Sequence, residues 1–165
     1  TSFKVKTSDL KDLSGTEIVI WTTTPWTIPA NKALAFNESL EYVILNIKDE
    51  GDFKDRKIVI ANALLESVVK ECELKNYKKI HIFKGKEFKN TICSHPFLNL
   101  GYDHDIPMLE ARFVTTDQGT GIVHCAPSHG PDDFNLCLNN GIKAIETVDG
   151  DGKYTKNVSL FDCLT

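Results

Sequence analysis

Two stretches hold the residues whose types and spacing could do chemistry. The first is Trp21–Thr22–Thr23–Thr24–Pro25–Trp26–Thr27, running on through Pro29 and Ala30 to Asn31. Each threonine hydroxyl can donate one hydrogen bond and accept others, and none carries charge at neutral pH. Such a row suits a neutral, polar, sterically strict pocket. It has neither the nucleophile–base pairing of a protease nor the charge of a phosphate site. The bland alternative is a Thr-rich strand end, which β-propensity alone would produce. Trp21 and Trp26 read first as packing residues, in the core or at a rim.

The second stretch runs from Gly119 to Phe134 and contains His124, Cys125, His129, Asp132 and Asp133. Its Gly119–Thr120–Gly121 is not a dinucleotide fingerprint, because it precedes a strand and lacks the third glycine. His124 and His129 with the two aspartates could suggest a metal site, but the spacing fits no standard zinc pattern. Cys125 paired with His129 as a nucleophile is weaker, since nothing marks the thiol as acidic.

The elements that must position these residues follow from pattern. Phe3 and Val5 alternate with Lys4 and Lys6, which predicts a strand. Glu17–Trp21 reads as a strand that Pro25 must stop or bend. Further strands are expected at 33–36, 42–47, 57–61, 80–83, 108–114 and 121–125, with a charged turn over 48–57. Asn62 is a candidate cap for a helix carrying Leu64, Leu65, Val68, Val69 and Cys72. Pro131 suits the first turn of a second helix ending near Asn139. A loop region holds Pro96, Gly101 and Pro107, and Asp149–Gly152 is a turn. Many short strands with two helices predict an α+β fold: a closed or nearly closed β-barrel-like core with peripheral helices.

Composition excludes several classes. The chain has 165 residues, enough for one domain with a real core. Its net charge of −4 argues against a protein held on nucleic acid mainly by electrostatics. The charge is uneven: residues 1–90 hold 15 basic and 13 acidic side chains, residues 91–165 hold 4 and 10. The lysines between Lys75 and Lys89 read as a solvated surface. No apolar run is long enough to span a membrane. Five cysteines without a CxxC pair predict reduced, mostly buried thiols in a cytoplasmic setting. The start at Thr1, with no initiator Met, is expected of a fragment excised from something larger.

Taken together, Trp21–Thr–Thr–Thr–Pro–Trp–Thr–Ile–Pro–Ala–Asn31, Gly119–Thr–Gly–Ile–Val–His124 and Gly130–Pro–Asp–Asp133 resemble the two signature regions of the isoleucyl-tRNA synthetase editing domain, also called connective polypeptide 1. Valyl and leucyl relatives typically carry Thr–Thr–Arg–Pro in the first region, so Thr–Thr–Pro–Trp here favours the isoleucyl member. The resemblance spans essentially the whole chain, residues 1–165, in order and spacing. It implies post-transfer editing: hydrolysis of the ester of valyl-tRNA(Ile), with isoleucine excluded by size.

The same resemblance implies the site. Asp133 would bind the α-ammonium of the misattached amino acid. Thr22, Thr23 and Thr24 would line the pocket and meet the ester and the terminal adenosine, and with Asp133 they are the candidate catalytic residues. His124 would shape the pocket against isoleucine, and Asn31 and Trp26 join it as candidate substrate-binding residues. No cofactor or metal is implied. The implied partners are the 3′ end of tRNA(Ile) with its valine moiety and the catalytic domain of the host synthetase, with no membrane and a monomeric fragment. The class I activation signatures HIGH and KMSKS are absent, so no ligase activity is expected of this chain alone. Two readings compete: a non-catalytic module that holds the tRNA 3′ end, and a metallohydrolase built on His124 and His129.

Overall fold

The computed structural model describes residues 1–50 and 54–161. Nine strands and two α-helices follow in chain order. They are β1 (Ser2–Thr7), β2 (Glu17–Val19), β3 (Ala33–Phe36), β4 (Glu41–Ile47), β5 (Lys57–Ala61), α1 (Leu65–Glu71), β6 (Tyr77–Lys84), β7 (Ile92–Ser94), β8 (Asp105–Glu110), β9 (Val123–Cys125) and α2 (Pro131–Asn139). The spatial order is β6-β4-β5-β2-β1-β7-β8-β3-β9. Most neighbours are antiparallel; β2–β5 and β3–β8 are parallel. This is the expected sheet-rich α+β fold with peripheral helices. The sheet nevertheless has two edges, β6 and β9, and does not close, so "barrel-like" describes its curvature only loosely.

Period-2 alternation builds β1, the middle strand of that order. In β1, Phe3 and Val5 point inward and Lys4 and Lys6 outward. Strand β3, next to the β9 edge, is buried at all four residues: β8 and β9 pair with it, and the two core clusters cover its two faces. The main core gathers Phe3, Ile18, Leu34, Tyr42, Ile44, Phe83 and Phe88. A smaller cluster of Ala33, Ala35, Ala111, Val114, Cys125 and Cys137 fixes α2 against β3 and β9. The candidate site lies beside this second cluster.

Several boundaries differ from the pattern-based expectation. Strand β2 ends at Val19, before Trp21; the Ile20 amide still donates to Thr1 O at 2.9 Å, in register with the β1 pairing, and no described residue beyond it continues the ladder. Strand β8 covers 105–110 instead of 108–114, and takes Pro107 into the sheet opposite Ile92. Strand β7 was not expected; three residues leave little periodicity to read. Asn62 opens a short 3-10 turn, Asn62–Leu64, and gives no side-chain cap to α1. Part of the charged turn over 48–57 lies outside the described residues. Cys93, Cys125 and Cys137 are buried free thiols and Cys72 is exposed, while Cys163 lies outside the described residues. No helix among the described residues is long and apolar enough to cross a membrane.

Candidate functional site

The first stretch leaves β2, bends at Thr23 and turns at Pro25 into a 3-10 helix, Pro25–Ala30. Proline suits that first position because its missing N–H would be unpaired there anyway. Just before it, the threonines bond to one another. The Thr24 amide donates to Thr22 Oγ1 at 3.0 Å, and the two hydroxyls lie 3.2 Å apart. One helical turn on, Thr27 Oγ1 donates to the Thr24 carbonyl at 2.8 Å.

The second stretch is placed by its glycines. Gly121 has φ +72°, and a Cβ there would lie 2.3 Å from the Ala61 Cβ. Only glycine allows this approach. It lets Thr120 O accept from the Ala61 amide at 2.8 Å and Gly121 O accept from the Tyr42 hydroxyl at 2.9 Å. The chain then enters β9 in fixed register, with His124 opposite Leu34 and Cys125 opposite Ala33. Asn31, two residues ahead of Ala33, thereby comes beside His124.

His124 is held by both ring nitrogens. Asn31 Nδ2 donates to Ala33 O at 2.9 Å, which fixes the amide's orientation. Its other N–H points to His124 Nδ1 at 3.0 Å, so Nδ1 accepts. Nε2 lies 2.8 Å from Thr27 Oγ1, whose own proton goes to Thr24 O, so Nε2–H donates. The imidazole is therefore the neutral Nε2–H tautomer. Burial, with a smaller contribution from His129, pushes its pKa down to about 4.

Asp133 sits in the first turn of α2, and one carboxylate oxygen accepts the Ala126 amide at 2.9 Å. Burial raises its pKa, the Ala126 N–H offsets part of that, and Asp132 adds to the rise. Among the described residues it forms no ion pair, so its second oxygen is uncommitted. Cys125 is an inert thiol, pushed well up by burial and then by Asp133.

Thr22, Thr24, His124 and Asp133 line one cleft of about 200 Å³, which Thr27 and His129 complete. Thr23 lines an adjoining cleft of about 290 Å³, which shares Trp21, Thr22 and Val123 with the first. Trp26 is half exposed at the rim, its ring edge-on to His129 with centroids 5.0 Å apart. Asn31 is fully buried and stands behind the wall, reaching the cleft through His124. Thr27 and His129 were not singled out as lining residues. The signal for Thr27 was available, since it lies three residues after Thr24 on the turn that Pro25 starts. Among the described residues no group of three His, Cys, Asp or Glu side chains is placed to hold a metal ion. His124 also has no free lone pair for one, because Nδ1 already accepts and Nε2 carries a proton.

No family profile matches the chain. It is 75% identical over 162 residues to an isoleucine–tRNA ligase of Pelagibacter ubique, covering 98% of this chain and 18% of that protein. It is 42% identical over 146 residues to the isoleucine–tRNA ligase of Gluconobacter oxydans, covering 86% of this chain and 15% of that one. This chain matches a segment of isoleucine–tRNA ligases. It spans under a fifth of the length of these relatives. In structure it superposes on the P. knowlesi cytosolic leucyl-tRNA synthetase editing domain with a TM-score of 0.61 at 17% identity, covering 78% of this chain and 52% of that one. The P. falciparum counterpart gives 0.58 at 18% identity, covering 76% and 46%. The fold is thus that of a synthetase editing domain, and Thr22, Thr24 and Asp133 line one cleft of it.

Proposed function

We propose that residues 1–165 form the post-transfer editing domain of an isoleucine–tRNA ligase, which hydrolyses the ester of valyl-tRNA(Ile). The observation that carries this reading is Asp133: a half-buried carboxylate without an ion-pair partner among the described residues, facing a cleft whose other polar lining is three threonine hydroxyls and two imidazoles. An α-ammonium supplies the missing charge, and its arrival favours the ionised carboxylate.

Thr22 and Thr24 are then placed for the ester and its water, and Thr23, in the adjoining cleft, for the terminal adenosine. No side chain serves as a strong base, so the water attacks an already activated ester by positioning, with the ribose hydroxyl assisting. His124 and the stiff, branched threonines set the size limit against isoleucine. A second site is needed because one methylene is worth only about 1–3 kcal/mol in a hydrophobic pocket. The isoleucine–valine pair is itself the reference case for that limit, so the figure is general and not drawn from this cleft. The partners are the 3′ end of tRNA(Ile) with its valine moiety and the catalytic domain of the host synthetase, in the cytoplasm. The isolated domain is a monomer without ligase activity.

The test is single-turnover deacylation of valyl-tRNA(Ile) by the full-length synthetase. Asp133→Ala removes a charge-assisted bond of about 1.5–3 kcal/mol. At about 1.4 kcal/mol per tenfold, the rate should fall by about one to two orders of magnitude. Affinity for uncharged tRNA, which has no ammonium, should hold, and Asp132→Ala should be milder. Equal losses for both aspartates, or unchanged deacylation in Asp133→Ala, would place the site elsewhere. Tight tRNA binding without deacylation by the unmutated enzyme would leave a binding module.

A further inference from the structure

The hairpin over 146–158 belongs to neither signature stretch, yet it is bonded to both. It is closed by the Val148–Tyr154 bridge and the turn bonds of Asp149. Three contacts tie it to the cleft. Thr147 Oγ1 lies 2.8 Å from His129 Nε2, the Tyr154 hydroxyl donates to Trp26 O at 2.6 Å, and just before the hairpin Ile145 O accepts from Ser128 Oγ. Thr147 is only 3% exposed, although threonine on a hairpin is usually solvated. Its hydroxyl thus gives the His129 ring a desolvated partner. Burial lowers the His129 pKa, in keeping with a ring that works as a neutral wall.

We propose that Thr147 and Tyr154 are positioning residues that set the width of the cleft. The geometry works as a clamp with two arms. Thr147 holds the His129 ring on the cleft wall, and Tyr154 holds the backbone of Trp26, whose ring meets His129 edge-on. Wall and rim are therefore fixed against each other from one hairpin. A pocket that separates valine from isoleucine discriminates by a single methylene, so a small displacement of one wall is enough to admit the larger side chain. Without Thr147 Oγ1, Nε2 of His129 loses its partner and the ring must turn to find water. The wall then moves while Asp133, Thr22 and Thr24, held by their own bonds, stay in place.

This inference rests on the editing reading and predicts a gain that mere loss of structure would not give. The assay is deacylation of isoleucyl-tRNA(Ile) and valyl-tRNA(Ile) by the full-length synthetase, with aminoacylation and thermal midpoint measured alongside. In Thr147→Val the ratio of isoleucyl to valyl hydrolysis should rise about tenfold, within the 10–200-fold that one methylene is worth. Valyl hydrolysis should fall by less than that, and aminoacylation should hold. Tyr154→Phe, acting from the other arm, should shift the ratio in the same direction, which keeps the test open if Thr147→Val folds poorly. Thr147→Ser, which restores the hydroxyl, should return the unmutated ratio. An unchanged ratio in both variants of an active enzyme would overturn this inference alone, as would a Thr147→Ser ratio equal to that of Thr147→Val. An unmutated enzyme that does not hydrolyse valyl-tRNA(Ile) would overturn the editing reading, and this inference with it.

Discussion

Lowering the pH from 7.5 to 5 should leave His124 neutral, and the size of that effect follows from its bonds. A second proton can go only on Nδ1, which faces the Asn31 N–H at 3.0 Å. That N–H cannot be exchanged for the amide oxygen without aiming the oxygen at Ala33 O. Protonation therefore breaks the bond that fixes the ring, and it does so in a buried setting. Burial, and to a lesser degree His129, independently holds the pKa at about 4 in the fold against an ordinary 6.5. At 1.36 kcal/mol per pH unit, that gap corresponds to about 3 kcal/mol. The sign follows from proton uptake. Below pH 6.5 the unfolded chain binds a proton at this residue, and the folded chain does not until about pH 4. The group thus costs nothing above pH 6.5 and destabilises the fold progressively as pH falls between those values. His95, 2% exposed and also held near 4 by burial, acts in the same direction. Asp133, with its raised pKa, acts oppositely at lower pH. The assay that isolates His124 is imidazole ¹⁵N NMR, with denaturant unfolding of the unmutated chain and of His124→Gln from pH 7.5 to 5. Nδ1 should keep an acceptor-type shift throughout, and the unmutated chain should lose more stability than His124→Gln. A His124 midpoint between pH 6 and 7, or a protonated Nδ1 at pH 7.5, would refute the bonding scheme and the neutral wall built on it.

Two other outcomes are expected. Gly121→Ala should be strongly destabilising, because it combines an unfavourable positive φ with a Cβ 2.3 Å from the Ala61 Cβ; overpacking of this kind costs about 1–3 kcal/mol, and thermal unfolding would show it as a drop of several degrees. Chelator should leave valyl-tRNA(Ile) deacylation unchanged, since no ligand group is in place among the described residues; loss of activity restored by zinc would revive the metallohydrolase reading.

Strands β1, β4 and β5 and helix α2 were legible because their signals are local, whereas only 80–83 of β6 (Tyr77–Lys84) was. In β1 the alternation of Phe3 and Val5 with lysines sets the buried face, and Pro131 marks the start of α2 whatever surrounds it. Strand β7 and the span of β8 were not legible, because their identity comes from partners. Ile92 pairs with Thr7 of β1 on one side and Pro107 of β8 on the other, partners distant in sequence. Of a closed or nearly closed barrel-like core, only full closure is not met, and for a similar reason: strand count constrains a sheet, but whether β6 meets β9 depends on register and twist that no short pattern encodes.

The site divides along the same line. Thr22, Thr24, His124 and Asp133 stood out as residue types, and the fold brings them to one cleft across about a hundred residues of sequence. Asn31 also stood out, but its place behind His124 depends on β3 and β9 being antiparallel with Ala33 opposite Cys125. Thr147 and Tyr154 gave no signal, since a threonine and a tyrosine flanking an Asp–Gly turn look like any hairpin. Their significance comes only from what they touch, His129 and Trp26. The cleft is built from both kinds of residue. The groups that line it carry recognisable chemistry, and the groups that hold its walls carry only geometry.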